Sequence, residues 1–277
     1  MELSNKTIVV TGAASGIGAA IAKQFAAAGS RVVVADLDAE ASAKTALEFN
    51  GLGVACDVTD EQQIKALVSA AEAHFGPVDL FCSNAGICVG EPNLATSASN
   101  ADWQLCWELH VMAHVYAARA VLPSMIERGS GYFVQIASAA GLLSQIGDAA
   151  YSATKHAAVG FAESLAITHG DDGIKVSVVC PSYVATPMLG YNLTKSGPTP
   201  ESPGMVPGLI SAEQVAAAVL DGVTNDRFMV LPHPQVEKFH QAKAGNYDRW
   251  IGGMRGLRAK IVDEIGTTEL AQMHKLV

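Results

Sequence analysis

The segment from residue 7 to residue 36 constrains the fold most, because it has the pattern of a strand, a glycine-rich turn, a helix and a second strand. An alanine-rich helix follows the turn and continues to Gly29, which we expect to end it. The turn contains Gly12, Ser15, Gly16, Ile17 and Gly18. Glycines there let the backbone approach a pyrophosphate, and the helix presents free N–H groups to it. The segment therefore predicts a dinucleotide site.

The second strand of this segment ends in an acid, Asp36, eighteen residues after Gly18. A carboxylate at this position accepts hydrogen bonds from the hydroxyl groups of the adenosine ribose and repels a 2′-phosphate. Neither Ala14 nor Leu37 supplies a cation that would bind such a phosphate. The sequence thus favours NAD over NADP as the cofactor.

Apolar β-rich runs alternate with helical patterns along the rest of the chain. This alternation predicts the α/β class, a doubly wound parallel sheet (Rossmann fold) of about seven strands with helices on both faces. The predicted strands are 7–11, 31–36, 52–57, 79–84, 131–138, 175–181 and 226–231. The predicted helices are 16–28, 39–50, 60–75, 101–128, 149–169 and 211–223, with capping boxes that start at Thr59 and Ser211. Ligands bind at the carboxyl ends of the strands in such a sheet.

A serine, a tyrosine and a lysine have a spacing that indicates acid–base chemistry. Tyr151 and Lys155 lie one helical turn apart, and Ser138 ends a predicted buried strand. We expect the Lys155 ammonium to lower the pKa of Tyr151 toward neutrality, since a nearby positive charge stabilises the phenolate. Ser138 would then hold the oxygen atom of an alcohol or a carbonyl group.

Together these motifs resemble the short-chain dehydrogenase/reductase family over about residues 5 to 231. Further matching motifs are Asp57-Val58, Asn84-Ala85-Gly86 and the run from Cys180-Pro181 to Thr186. The resemblance implies that Asp57 and Val58 contact the adenine and that Asn84 lies beside the cofactor. It also implies that Lys155 binds the nicotinamide ribose, while Thr186 and the backbone near Val184 hold the carboxamide.

The chain departs from the family pattern at two positions. His110 stands seven residues after Trp103, where the family usually has an asparagine that holds a water of the proton relay. His110 either serves that relay, which would then titrate near pH 6.5, or replaces the asparagine structurally. Ser182 follows Pro181 where glycine is usual, so the sequence leaves the geometry of this turn undecided. His110 and His114 share a helix face, but no third ligand is evident and we expect no metal.

Length and composition are consistent with one NAD-binding domain over residues 1–277. Hydrophobic residues make up 49% and the net charge is −9, which argues against nucleic acid and anionic membrane partners. No apolar run is long enough to span a bilayer, and the first residues lack a basic-then-apolar pattern, so we expect no leader. Five cysteines without CxxC spacing predict reduced thiols in a cytoplasmic protein. We expect a homodimer or homotetramer.

Two segments lie outside the regular alternation. Residues 187–210 are rich in proline and glycine and are predicted to form a lid over the substrate. Residues 235–277 carry an apolar stripe from Tyr247 to Ile261, which we expect to be core or subunit contact rather than substrate wall.

The predicted substrate site is apolar and has no evident fixed cation, which favours an uncharged hydrophobic secondary alcohol or ketone. Its predicted residues are Ser138, Leu142, Gln145, Tyr151, Tyr183 and Met188. The alternatives are an NADPH-type carbonyl or acyl-carrier-protein reductase, and a catalytically silent protein that binds NAD as a sensor.

Overall fold

The computed structural model of the protein describes residues 1–90, 94–189, 191 and 208–273. Its strands are β1 (Thr7–Thr11), β2 (Arg31–Asp36), β3 (Leu52–Ala55), β4 (Leu80–Ser83), β5 (Gly131–Ile136), β6 (Ile174–Val179), β7 (Val184–Ala185), β8 (Ile210–Ser211) and β9 (Met229–Val230). Its α-helices are α1 (Gly16–Ala27), α2 (Ala39–Leu47), α3 (Glu61–Phe75), α4 (Asn100–Trp107), α5 (Ala113–Glu127), α6 (Ala140–Leu143), α7 (Ala149–His169), α8 (Ala212–Thr224), α9 (Gln235–Gly245), α10 (Tyr247–Ile265) and α11 (Leu270–Met273).

Seven strands form one parallel sheet in the order β3-β2-β1-β4-β5-β6-β9. The order reverses between β1 and β4, where the connections turn to opposite sides and leave a crevice at the carboxyl edge. The predicted doubly wound parallel sheet is confirmed.

Helices cover both faces of the sheet because its central strands are apolar on both sides. On one face Val9 and Phe81 pack against side chains of α3, α5 and α7. On the other face Ile8 and Leu80 pack against α1 and α8. Neighbouring residues of one strand thus enter opposite halves of the core, as the two-residue period of a strand requires.

The predicted strands ran past the observed ones mainly at their carboxyl ends. β3, β5 and β6 each end two residues before the predicted limit, and β4 ends one residue before it. The chain leaves the ladder at those points, so Asp57, Asn84 and Ser138 lie just beyond their strands, at the edge that forms the crevice. The short pair β7 and β8, which joins Val184 to Ile210 in parallel, was not predicted.

The predicted helix 101–128 corresponds to a continuous helical run over 100–127, but the run is not regular throughout. A π-turn over Glu108–Met112 lies between α4 and α5, where the N–H group of Ala113 donates to the carbonyl oxygen of Glu108. Such turns insert one extra residue into a helix and occur frequently at functional sites.

Side-chain caps fix the starts of two helices near the predicted positions. The capping box at Ser211 is confirmed, since its Oγ accepts from the Gln214 N–H group at 3.3 Å and the Gln214 side chain accepts from the Ser211 N–H group at 2.9 Å. The box at Thr59 was wrong. Asp60 caps α3 instead, and the Thr59 hydroxyl donates to Asp57 at 2.7 Å.

Candidate active site

The glycine-rich turn joins β1 to α1 and forms one end of the crevice. Gly12 has a φ of +61°, a conformation that favours glycine, and a Cβ atom there would lie 2.8 Å from the Ala85 Cα atom. Gly18 faces away from the crevice, and a Cβ atom on it would collide with the Gly12 carbonyl oxygen and the Asn84 amide. Ser15 at the N-cap of α1 makes no capping hydrogen bond within the described chain, so the N–H groups of the first turn remain available to an anion.

Asp36 at the end of β2 lies beside this turn. Its Oδ2 atom accepts from the Ala14 N–H group at 3.0 Å, and its Oδ1 atom accepts from the Asp38 N–H group at 3.3 Å. These bonds hold the carboxylate in the wall of the crevice, next to Leu37.

Asn84 ties the turn to the next strand. Its side-chain amide donates to the carbonyl oxygens of Thr11 at 2.9 Å and Gly12 at 3.1 Å, while its N–H group donates to the Thr11 hydroxyl at 3.0 Å. The two strand ends on either side of the order reversal are therefore fixed to each other. Asn84 orients the turn and also lines the crevice.

The serine, tyrosine and lysine meet at the other end of the crevice. Asp148 caps α7, accepting from the Tyr151 N–H group at 3.0 Å, and thereby sets the start of the helix that carries Tyr151 and Lys155. Ser138, after β5, hydrogen-bonds to the Tyr151 hydroxyl. The buried Lys155 Nζ atom lies 5.5 Å from the centre of the Tyr151 ring and donates to the Ile136 carbonyl oxygen at 3.0 Å.

Burial governs the ionisation of this group of side chains. Desolvation raises the pKa of Tyr151, although the Ser138 hydrogen bond acts in the opposite direction. Desolvation also lowers the pKa of Lys155 to about 8, so the amine is still mostly protonated at neutral pH. The expected lowering of the Tyr151 pKa by Lys155 is not the direction found in this structure, where desolvation of the phenol is the largest influence.

His110 lies in the π-turn beneath the crevice and has both ring nitrogens occupied. Nε2 accepts from the Ile87 N–H group at 3.1 Å, so the proton must be on Nδ1, which lies 2.9 Å from the Thr154 hydroxyl. Burial, and then the charge of Lys155, lowers the pKa of His110 to about 2. Of the two roles left open by the sequence, this geometry favours the structural one, because a neutral ring with no spare nitrogen does not titrate near 6.5.

A buried histidine also explains the turn after Pro181. His233 Nδ1 accepts from the Ser182 N–H group at 3.1 Å, and its Nε2 atom lies 3.0 Å from the Tyr183 carbonyl oxygen, to which it donates. Ser182 is not among the residues with positive φ. The turn therefore does not need the glycine that is usual there.

One crevice of about 560 Å³ has the glycine-rich turn at one end and Ser138, Tyr151 and Lys155 at the other. The predicted cofactor residues in its wall are Gly12, Ser15, Gly16, Ile17, Asp36, Asp57, Val58, Asn84, Ala85, Gly86, Tyr151, Lys155, Pro181, Val184 and Thr186, and the predicted substrate residues are Ser138, Gln145, Tyr183 and Met188. Leu142 was wrongly placed there: it packs in the core, because α6 turns its neighbour Leu143 outward instead. Leu105 and Leu109 also line the crevice and were missed.

A second cavity, of about 880 Å³, adjoins the crevice and is called the outer cavity below. Helices α9 and α10 form one wall of it, with Phe239, Trp250, Met254, Leu257 and Ile261. Of the apolar stripe in the C-terminal segment, Trp250, Met254 and Leu257 face this cavity and do not belong to the core, while the expected subunit contact stays a prediction. Ile261 both lines it and is buried.

One buried lysine connects α9 to the helices beside the crevice. Lys243 of α9 donates from Nζ to the Leu142 carbonyl oxygen at 2.6 Å and lies 3.3 Å from Nε2 of His156, the residue after Lys155. The C-terminal helices are thus joined directly to α6 and α7.

Comparison with known proteins assigns the family. The sequence model of the short chain dehydrogenase family matches residues 6–196, more than half of the chain. The protein belongs to the short-chain dehydrogenase family. The 1-deoxy-11-beta-hydroxypentalenate dehydrogenase of Streptomyces exfoliatus is 36% identical over 236 residues, which cover 82% of this chain and 83% of that relative. The 2-(R)-hydroxypropyl-CoM dehydrogenase of Xanthobacter autotrophicus is 34% identical over 228 residues, which cover 79% of this chain and 90% of that relative.

A solved structure of the family has the same architecture. The short-chain dehydrogenase/reductase of Burkholderia phymatum, in complex with NAD, superposes with a TM-score of 0.79 at 29% identity and covers 90% of this chain and 96% of its own. This short-chain dehydrogenase is accordingly an oxidoreductase of a family that uses nicotinamide cofactors. Within its described residues no helix is long and apolar enough to cross a membrane.

Proposed function

We propose that the protein is an NAD-dependent dehydrogenase that transfers a hydride between the nicotinamide and a hydrophobic secondary alcohol or ketone, with Tyr151 as general acid and base. One observation carries this proposal. Ser138, Tyr151 and Lys155 line the same crevice as the glycine-rich turn and Asp36, although these groups come from distant parts of the chain.

The residues around the crevice fit a dinucleotide. The open turn at Gly12 and Gly16 and the uncapped start of α1 suit the pyrophosphate, and Asp36 suits the adenosine ribose. Asp57 and Val58 would contact the adenine, Lys155 the second ribose, and Val184 and Thr186 the carboxamide. When bound, the nicotinamide supplies the hydride acceptor or donor, and the protein supplies its orientation.

The charges of the crevice favour NAD. Among the described residues, the charged side chains that line it are Asp36, Asp57 and Lys155. Both carboxylates belong to the end formed by β2 and β3, whereas the one cation lies beside Tyr151. A 2′-phosphate at the ribose would meet the Asp36 carboxylate and no lining cation, which costs free energy.

In the reducing direction Tyr151 acts as the general acid. Its phenol is protonated at neutral pH, so it can donate its proton to a ketone oxygen that Ser138 also binds. In the oxidising direction Tyr151 must first lose its proton, and the Lys155 ammonium then stabilises the phenolate that accepts the proton of the alcohol. Ser138 is held for this task, since its Oγ atom accepts from the Ala140 N–H group at 3.1 Å and donates to the Pro181 carbonyl oxygen at 3.4 Å.

The side chains near Tyr151 suit an apolar substrate. Cys88 interacts with Tyr151, its Sγ atom contacts the Met188 Sδ atom, and the neighbouring Ile87 also lines the crevice. Desolvation raises the pKa of Cys88 to about 12, so its thiol is neutral and behaves as a small apolar group. The lid predicted over 187–210 falls mostly outside the described residues and stays a prediction, as do the single domain and the homodimer or homotetramer.

The test is the rate of NADH or NADPH formation over a panel of secondary alcohols, with NAD and NADP in parallel. We expect turnover of bulky apolar alcohols with NAD. Turnover with NADP alone would contradict the cofactor assignment and support the NADPH-type reductase. Tight NADH binding without turnover of any alcohol or ketone would support the silent sensor instead.

A further inference from the structure

The outer cavity continues the crevice. Ala139, Ala140, Gln145, Ser182 and Tyr183 line both, so a molecule whose reacting carbon lies at Tyr151 has room to extend between them toward α10. With about 880 Å³, the outer cavity is larger than a small alcohol requires. It therefore suits a substrate with a sizeable body beyond its reacting hydroxyl group.

One cation interrupts the apolar wall of this cavity. Arg249 is the only charged side chain that lines it within the described residues. In that part of the chain no carboxylate lies within ion-pair distance of Arg249, and its sequence neighbour Asp248 does not line the cavity. Arg249 is exposed, so it lies at the mouth. A guanidinium that has no ion-pair partner among the described residues lies on the rim of an apolar cavity, in a chain of net charge −9.

Helix stability does not explain Arg249. It occupies the first turn of α10, where its N–H group donates to the N-cap Asn246 side chain at 2.9 Å. A cation near a helix N-terminus is disfavoured by the helix dipole, whereas an anion is favoured. The guanidinium and the start of α10 both attract negative charge to the same rim of the cavity.

We propose that the outer cavity binds the remote end of the substrate and that Arg249 selects substrates with a carboxylate there. This inference rests on the proposed dehydrogenase function and narrows its substrate class to bulky alicyclic hydroxy acids or oxo acids. Trp250, Met254 and Leu257 contact the apolar body, and Arg249 binds the acid group in bidentate geometry. The inference departs from the sequence-based expectation of an uncharged substrate at the remote end only, since the reacting end stays apolar. One relative acts by its name on a hydroxypentalenate, an acid anion.

The test compares hydroxy acids with their methyl esters. The probes are 4-hydroxycyclohexane carboxylate, a secondary-alcohol hydroxyadamantane carboxylate and a 3-hydroxysteroid with a carboxylate side chain, each measured with NAD beside its ester. We expect the wild type to prefer the longer acids to their esters. Arg249→Gln should lower the acid-to-ester ratio of kcat/KM about tenfold, mainly through KM, as the loss of a charge-assisted bidentate contact at an exposed site predicts.

The chain offers matched controls for this substitution. Arg255→Gln removes the same charge from the same helix at an exposed position that does not line the cavity, and it should leave the ratio unchanged. Arg249→Lys should restore part of the ratio, and added sodium chloride should raise KM for the acids but not for the esters. A wild type that prefers esters, or equal losses in Arg249→Gln and Arg255→Gln, would overturn the inference.

A binding measurement separates this inference from the proposed function. Adamantane-1-carboxylate carries no hydroxyl group, and its binding by calorimetry is compared with that of adamantane-1-carboxamide. Arg249-dependent preference for the carboxylate, without turnover of any alcohol, would preserve the site and refute the dehydrogenase. Equal binding of both probes, with turnover of neutral alcohols, would preserve the dehydrogenase and refute the role of Arg249.

Discussion

Substitution of His114 by leucine should make the protein more resistant to acid. The His114 ring is buried, and its Nδ1 atom has no hydrogen-bond partner within the described residues. Burial, and then the positive charge of Lys155, lowers the pKa of His114 to about 3. The folded protein therefore keeps this histidine neutral in mildly acidic solution, whereas the unfolded chain protonates it below its ordinary value of about 6.5.

The size of the effect follows from this difference. The folded state binds fewer protons, so the free energy of unfolding falls as the pH drops below about 6.5, by about 1.4 kcal/mol for each further pH unit. The loss from this residue reaches about 2 kcal/mol at pH 5 and levels off only near the folded-state value of about 3. His114→Leu removes this contribution and gives up no hydrogen bond at Nδ1.

Urea unfolding at pH 7 and at pH 5, followed by fluorescence, measures the effect. The wild type should lose about 2 kcal/mol more than His114→Leu between the two pH values. His74→Leu removes an exposed histidine and shows whether the decrease in the free energy of unfolding depends on the burial of the histidine. If the free energies of unfolding of the wild type and of His114→Leu fell equally between pH 7 and pH 5, within about 0.5 kcal/mol, His114 would not be held neutral and the reasoning would fail.

Four further substitutions test the site. Tyr151→Phe should lower kcat at least a hundredfold, of the order of a lost general acid or base, while NADH fluorescence still reports binding. Asp36→Ala should lower the NAD-to-NADP ratio of kcat/KM about tenfold or more, because a like charge beside the 2′-phosphate is removed. His110→Asn should leave the pH–rate profile between about pH 5 and 8 in place, since His110 is already neutral there. Gly18→Ala should lower both the melting temperature and NADH affinity, because its Cβ atom would collide with the turn.

Two substitutions serve as controls. Tyr132→Phe alters a buried tyrosine that hydrogen-bonds to Ser177 at 2.8 Å outside the crevice, so it should leave kcat intact. Gly160→Ala places a methyl group in open space on α7 and should raise the melting temperature slightly. Equal melting temperatures for Gly18→Ala and Gly160→Ala, or a shifted pH profile in His110→Asn, would contradict the contacts described above.

The sheet and the cofactor end of the crevice could be predicted from the sequence because their signals are local. Glycine spacing, an acid at a strand end and apolar runs of strand length each depend on a few neighbouring residues. The observed strands and α7 therefore match the predicted ones closely. The overshoot at the strand ends has the same cause, since apolar residues continue past the last ladder pair into the loops.

The rest depended on contacts between distant residues. Nothing within 101–128 marks the π-turn, whose His110 is fixed by Ile87 and Thr154 from other elements. The sequence shows the apolar stripe on α10, but it does not show which surface the stripe faces. That surface depends on how α9 packs against α6 and how α10 packs against α9. The direction of the pKa shift of Tyr151 likewise required the burial of the phenol, which spacing alone does not give.

The π-turn makes the position of His110 depend on the number of residues in one helix. Glu108–Met112 use one residue more for their turn than a regular α-helix would, so the extra residue is taken up locally and α4 and α5 keep their faces on either side. Deletion of one of these residues would restore regular geometry and leave Leu105 in the wall, but it would shift the His110 ring against Ile87 and Thr154. A change in the length of this helix would thus act first on the hydrogen bonds beneath the crevice.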